Sequence, residues 1–167
     1  MGHEKRPTAA RDAFHLPDEI AGFIESGVSI ILAVVGPDGR AKAGRALAAR
    51  VVAGGAIRVI YPAEGNGAIT AAVAAGGPIA VTFSAPMSHR TIQLKAMSSR
   101  AEAFEPEDRT GLDRQIDAFA AVLRAIGYGP AFVQSFCDNR SQSVFVLGFR
   151  PETAFEQTPG PGAGREL

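Results

Sequence analysis

The sequence predicts a mainly antiparallel α+β domain: about six strands forming a small closed or split β-barrel, with two or three helices around it. Three observations predict this. Strand-length segments follow one another from Val28 to Ala96, separated by glycine- and proline-rich turns. The turns joining the first three are too short for crossover connections, so those strands must run antiparallel. One dominant helical stripe, Leu112, Ile116, Phe119, Leu123 and Ile126, recurs at steps of four and three.

The elements follow in order. Residues 1–14 are polar and alanine-rich and read as a loose arm. Pro17-Asp18-Glu19 opens a helix, since proline suits the first turn and acids favour the positive helix end. Ile20, Phe23 and Ile24 form its apolar face, and Gly27 ends it. Val28 to Val35 is apolar on both faces, so it is a buried strand. Gly36-Pro37-Asp38-Gly39 turns the chain into a strand from Lys42 to Ala53. Gly54-Gly55 turns it again into a third strand, Ala56 to Tyr61, stopped by Pro62. These three strands predict a meander.

Gly65-Asn66-Gly67 leads into a short helix from Ala68 to Ala75, ended by Gly76-Gly77. Ile79, Val81 and Phe83 alternate with smaller residues, the period of a strand with one apolar face. Pro86 breaks it, and Arg90 to Phe104 reads as one long, bent strand. Pro106 starts the main helix, closed by Gly127 and Gly129. Ala131 to Cys137 is open between strand and loop, and Ser143 to Phe149 is a strand. The tail, residues 156–167, is too rich in Pro and Gly for a helix or a central strand. It is either an arm laid on a partner or a frayed end.

Composition narrows the function. The 167 residues suit a single domain spanning 1–167, large enough for a real core. Basic and acidic residues balance at 17 each, so no basic stripe points to nucleic acid and no polybasic run to a membrane surface. The longest apolar run, Ile30 to Val35, is too short to span a bilayer. With one cysteine, Cys137, no intrachain disulfide can form, and a reducing, cytoplasmic setting is the default. No apolar segment follows the N-terminus to suggest a secretion signal. His3, His15 and His89 lack ligand spacing, so no metal site is expected. His89 reads as a turn residue, and Cys137 as a thiol without a neighbouring base.

Chemistry concentrates on a few residues. Arg45 and Arg50 stand on the second strand, a glycine-rich helix start carries Asn66, and His89 to Ala96 is polar at alternate positions. Two rigidly held cations beside exposed helix N–H groups suit a phosphate-bearing ligand. Solvated strand charges explain the same arginines, and a solvent-facing strip explains Thr91, Gln93 and Lys95. Residues five apart point to opposite faces of a regular strand, so both arginines can serve one face only if a bulge near Ala48-Ala49 reorients one of them.

In this order and pattern the chain resembles the pyridoxamine 5'-phosphate oxidase-like family, the FMN-binding split barrels, over roughly Leu16 to Phe104. The resemblance rests on the N-terminal helix, the apolar strand, Arg45-Ala46-Leu47-Ala48-Ala49-Arg50, the short helix, and Arg90-Thr91-Ile92-Gln93-Leu94. It implies an FMN-dependent oxidoreductase acting on a small molecule, built as a homodimer with the flavin at the seam. Arg45 and Arg50 would contact the phosphate, the backbone at Ile60 and Tyr61 would lie along the ring, and Thr91 would stand where a glutamine commonly meets the flavin. Asn66 belongs to the phosphate end: the family often carries Ser, Arg or Lys there, whereas this chain has Gly65-Asn66-Gly67-Ala68. The chain also ends in a Pro-Gly tail instead of the Arg-Leu-x-Pro-like segment that binds the vitamin B6 substrate, which argues against pyridoxamine phosphate. A flavin-binding module for storage or sensing, without turnover, is the alternative. Relatives of this barrel use deazaflavin or haem, and haem would need His89 or Cys137 as axial ligand.

Overall fold

The structure, a computed structural model, describes residues 14–137 and 143–167. Most of the expected N-terminal arm lies outside the described residues. The helices are α1 (Asp18–Ile24), α2 (Gly67–Ala74), α3 (Pro106–Ala125) and α4 (Pro130–Cys137). The strands are β1 (Ser29–Val35), β2 (Ala41–Ala46), β3 (Ala48–Val52), β4 (Ala56–Pro62) and β5 (Ile79–Ser84), then β6 (Thr91–Ala96), β7 (Arg100–Glu102), β8 (Val144–Phe149) and β9 (Thr153–Glu156).

The α+β class is as expected, but the six-stranded barrel is not. The described strands form two antiparallel sheets, five strands ordered β2-β1-β5-β6-β9 and four ordered β3-β4-β8-β7, with no closed barrel. Two expected strands each break and change sheet. The Lys42–Ala53 strand bends at Leu47, so β2 pairs with β1 while β3 pairs with β4. The Arg90–Phe104 strand breaks after Ala96, and its two halves again join different sheets. Strands that switch sheets at a bend make the corners of a two-layer β structure.

Between the sheets lies the main core. Ile30, Leu32, Val81 and Leu94 of one sheet meet Ile57, Val59 and Leu147 of the other. Ile20 and Ile24 of α1 and Ile69 and Val73 of α2 join them. A Cβ on Gly44 of β2 would come within 2.7 Å of Asn66 Oδ1 and Ile69 Cδ1, so glycine there lets α2 seat against the strand.

A second core covers the outside of the four-stranded sheet. Leu112, Ile116 and Leu123 of α3, with Val133 of α4, pack over Ala48, Ile60 and Val146. The 131–137 segment, open between strand and loop from sequence, is helical. Val133 and Cys137 lie one turn apart on its buried face, and Pro130 starts it. α3 also finishes the free edge of β3: Gln115 Nε2 donates to the Ala49 carbonyl (2.6 Å), and the Ala49 N–H donates to Gln115 Oε1 (3.0 Å). Side chains that satisfy an edge strand blunt its tendency to pair with another chain.

The tail folds back on the five-stranded sheet. Phe155 bridges Glu166, and the Leu167 N–H donates to the Ala154 carbonyl (2.9 Å). No helix among the described residues is long and apolar enough to cross a membrane.

Candidate functional site

The bend at Leu47 sets the direction of both predicted arginines. Ala46 and Ala49 point into the main core, while Leu47 and Ala48 both join the outer cluster. Alternation therefore skips once at Leu47-Ala48, beside the expected position. Arg45 shares the outer face of its sheet with its cross-strand partner Ile31, and Arg50 faces α3 with its partner Arg58.

The two arginines do not converge. Arg50 Nε donates to Asp108 Oδ1 (3.0 Å) and its Nη2 to Glu105 Oε2 (2.6 Å), at the start of α3. Arg45 lies instead against Phe119 of α3 and Phe136 of α4, its guanidinium carbon 3.7 Å from the Phe136 ring centroid. Asp108 and Phe119 are about 16 Å apart along the helix axis.

Around Asp108 the charges form a buried network. Arg58 Nε donates to Asp108 Oδ1 (3.1 Å) and Nη2 to Oδ2 (2.6 Å), while Nη1 pairs with Glu102. Asp108 is fully buried. Burial opposes its ionisation, but hydrogen bonds from Arg58, the Glu105 backbone and Arg50 outweigh it and hold the carboxyl below its ordinary range. The Asp108 hydrogen bonds in turn raise the Arg58 pKa against the effect of burial. Glu105 and Asp108 complete a reciprocal cap on α3. Arg50 thus carries a charge already neutralised.

Arg45 differs. Its Nη1 donates to the Phe136 carbonyl (3.1 Å), and no carboxylate among the described residues pairs with it. Burial lowers its pKa, with the Cys137 thiol opposing, yet an arginine remains charged at neutral pH. This is a half-buried cation stacked on an aromatic ring, with no carboxylate partner among the described residues.

The outer face of the five-stranded sheet extends from Arg45, where Phe119 of α3 and Phe136 of α4 lie against it. Ile31, the strand neighbour of Arg45, is 46% exposed. Next come Thr82 on β5 and Gln93 on β6, with Gln93 Nε2 donating to Thr82 Oγ1 (2.9 Å). One row along, Thr91 lies opposite Ser84, their hydroxyl oxygens 3.1 Å apart. On the other side a hollow of about 450 Å³ opens over Ala33, Ala41 and Ala80, walled by Lys95, Met97 and Glu152. Arg45 and Thr91 therefore share this face. Ile60 and Tyr61 do not reach it, because both lie in β4, laddered between β3 and β8. The Ile60 side chain is under α3, and the Tyr61 hydroxyl is 3.3 Å from Thr70 Oγ1 inside the core. Asn66 Nδ2 donates to the Pro62 carbonyl (2.9 Å) in the turn before α2. Sequence reasoning missed Arg58, Asp108 and Gln115; Arg58 alone carried a signal, a charge inside the apolar run from Ile57 to Tyr61, while Asp108 and Gln115 sit in polar stretches.

His89 adopts a left-handed backbone (φ 59°) in the turn before β6. Among the described residues no group of His, Cys, Asp and Glu is placed to hold a metal ion.

No protein-family model matches this sequence, and neither does any curated protein. Solved structures do share its fold. HupZ of Group A Streptococcus is 14% identical with a TM-score of 0.54, covering 90% of this chain and 100% of that one. General stress protein 26 of Bacillus anthracis is 10% identical with a TM-score of 0.50, covering 90% and 95%. A Clostridium acetobutylicum protein related to general stress protein 26, of the pyridoxinephosphate oxidase family, is 9% identical with a TM-score of 0.48, covering 90% of each chain. At such identities the likeness is one of fold. In fold, this chain resembles HupZ and general stress protein 26.

Proposed function

We propose that the outer face of the five-stranded sheet binds FMN, with Arg45 on the phosphate, and that the chain is an FMN-dependent oxidoreductase acting on a small molecule. The observation that carries this reading is Arg45, a half-buried cation that meets no carboxylate among the described residues. A cation held half out of water, bonded to one carbonyl and one ring, favours an anion, and the guanidinium fork matches phosphate oxygens. Ile31 supplies an apolar surface beside it, and Thr82, Thr91 and Gln93 supply polar groups further along the same face.

When bound, FMN supplies the hydride and electron chemistry. The chain's own residues anchor the phosphate and orient the ring. In this reading Arg50 holds α3 rather than the phosphate, Ile60 and Tyr61 support the site from behind, and Asn66 seats the short helix. A second copy laid over the bare face would shield the ring from water, making the working unit a homodimer.

The test is an absorbance spectrum after mixing the purified chain with FMN and desalting. Retained flavin, then bleached by NADH or NADPH and restored by an acceptor, is the expected result. Retention without bleaching would favour a storage or sensing role. A chain that retains the deazaflavin F420 but not FMN would change the cofactor, and one that retains neither would overturn the reading.

A further inference from the structure

We propose that Gln93 is a specificity-determining residue of this site, its side-chain carbonyl accepting a hydrogen bond from an N–H on the ring edge of the bound ligand. The proposal rests on the flavin reading above and names the group that recognises the end of the ligand remote from Arg45.

Register places the two ends on one line. Arg45, Ile31, Thr82 and Gln93 are successive cross-strand partners on β2, β1, β5 and β6. Directly paired residues share a face, so all four side chains belong to the same outer row. Three interstrand steps separate Arg45 from Gln93, about 14 Å. That is comparable to the reach of a molecule with a phosphate on a short flexible chain and a flat ring system beyond it. Ile31, the exposed residue between, gives the ring an apolar surface.

Hydrogen bonding then separates Gln93 from Thr91. The Thr91 hydroxyl donates to the His89 carbonyl (3.0 Å) and sits beside Ser84 Oγ. Its backbone is also occupied: the N–H donates to Thr158 Oγ1 (3.0 Å), and the carbonyl accepts from the Gln157 N–H (2.7 Å). Thr91 Oγ1 thus already has two oxygen neighbours. Among the described residues the Gln93 side chain makes one hydrogen bond, Nε2 to Thr82 Oγ1. That bond fixes the amide plane and leaves Oε1 without a partner among the described residues. A clamped amide with an open acceptor suits an N–H donor on a ring edge. FMN carries such a donor, the imide N3–H of its pyrimidine ring, at the end of the molecule away from the phosphate.

The test is a fluorescence titration of the full chain with FMN and with N3-methyl-FMN, repeated on Gln93→Ala. The native chain is expected to bind FMN about five- to ten-fold more tightly than the methylated flavin. Gln93→Ala is expected to weaken FMN by a similar factor and to bind the two flavins alike. The methylated-flavin comparison runs on the native chain, so it holds even if the variant folds poorly. Equal native affinity for the two flavins, or unchanged FMN affinity in a folded Gln93→Ala chain, overturns the role of Gln93 and leaves the flavin reading standing. A native chain that binds no FMN overturns both.

Discussion

Arg50 and Arg58 stand directly opposite each other on β3 and β4, and both donate to one oxygen, Oδ1 of Asp108. Two like charges in direct cross-strand register repel. The Asp108 carboxylate between them turns that repulsion into the anchor of α3, with Glu105 and Glu102 taking the remaining guanidinium edges.

Removing that carboxylate leaves two cations buried against each other. Asp108→Ala is expected to lower the unfolding free energy by about 3–5 kcal/mol. Chemical denaturation checks this, and a loss below about 1 kcal/mol would mean that the network does not hold α3.

The same group gives stability a pH dependence of fixed sign. The folded-state pKa of Asp108 is depressed, so its contribution is fully present above the unfolded value, about 3.9. It declines as pH falls below that value and is lost as pH passes through the folded pKa. Melting temperature should therefore drop below about pH 4. Asp108→Asn should flatten that drop while lowering stability at neutral pH. A variant with the native acid slope would place the acid sensitivity elsewhere.

Gly148 of β8 makes room for the network. It pairs with both Arg58 and Arg100, and a Cβ there would overlap the Glu102 carboxylate. Gly148→Ala should cost about 1–3 kcal/mol, by displacing Glu102 from Arg58. Combined with Glu102→Ala, which removes the obstructing carboxylate, the two losses should add to less than their sum. Full additivity in a double-mutant cycle would refute the steric account.

Arg45→Ala tests the other arginine. It should weaken FMN retention about ten-fold or more, consistent with the loss of a charge-assisted phosphate contact. Stability should fall by no more than about 1–2 kcal/mol, from the lost stacking on Phe136. Arg45→Lys should recover only part of the affinity, because an ammonium lacks the planar fork. Unchanged FMN binding in Arg45→Ala would remove the phosphate role.

Tail truncation offers a further check. Thr158 supplies the acceptor for the Thr91 N–H, and Leu167 returns to pair with Ala154. Deleting residues 158–167 should speed amide exchange at Thr91 relative to the β5–β6 interior. Equal protection with and without the tail would show that it does not hold the strand.

Local chemistry in the sequence determined much of this molecule. Apolar runs and turn residues place β1 and β4, alternation places β5, and the 3.6-residue stripe places α3. Each of these depends on steric and solvation preferences within a few residues of chain. β1 is not buried on both faces as its apolar run suggested, because Ile31 and Val35 stand exposed on the outer face of the sheet. Tertiary structure alone decided what the bends do. At Leu47 and after Ala96 the chain crosses between sheets, because only two layers bury both apolar faces at once. It also decided which arginine meets carboxylates and which meets rings. Arg45 and Arg50 have the same chemistry and stand five residues apart, but the start of α3, some 55 residues further on, brings Glu105 and Asp108 to Arg50, while Phe119 of α3 and Phe136 of α4 come to Arg45. A charge's role depends on the long-range neighbours that neutralise it or leave it bare, and no window of sequence contains them.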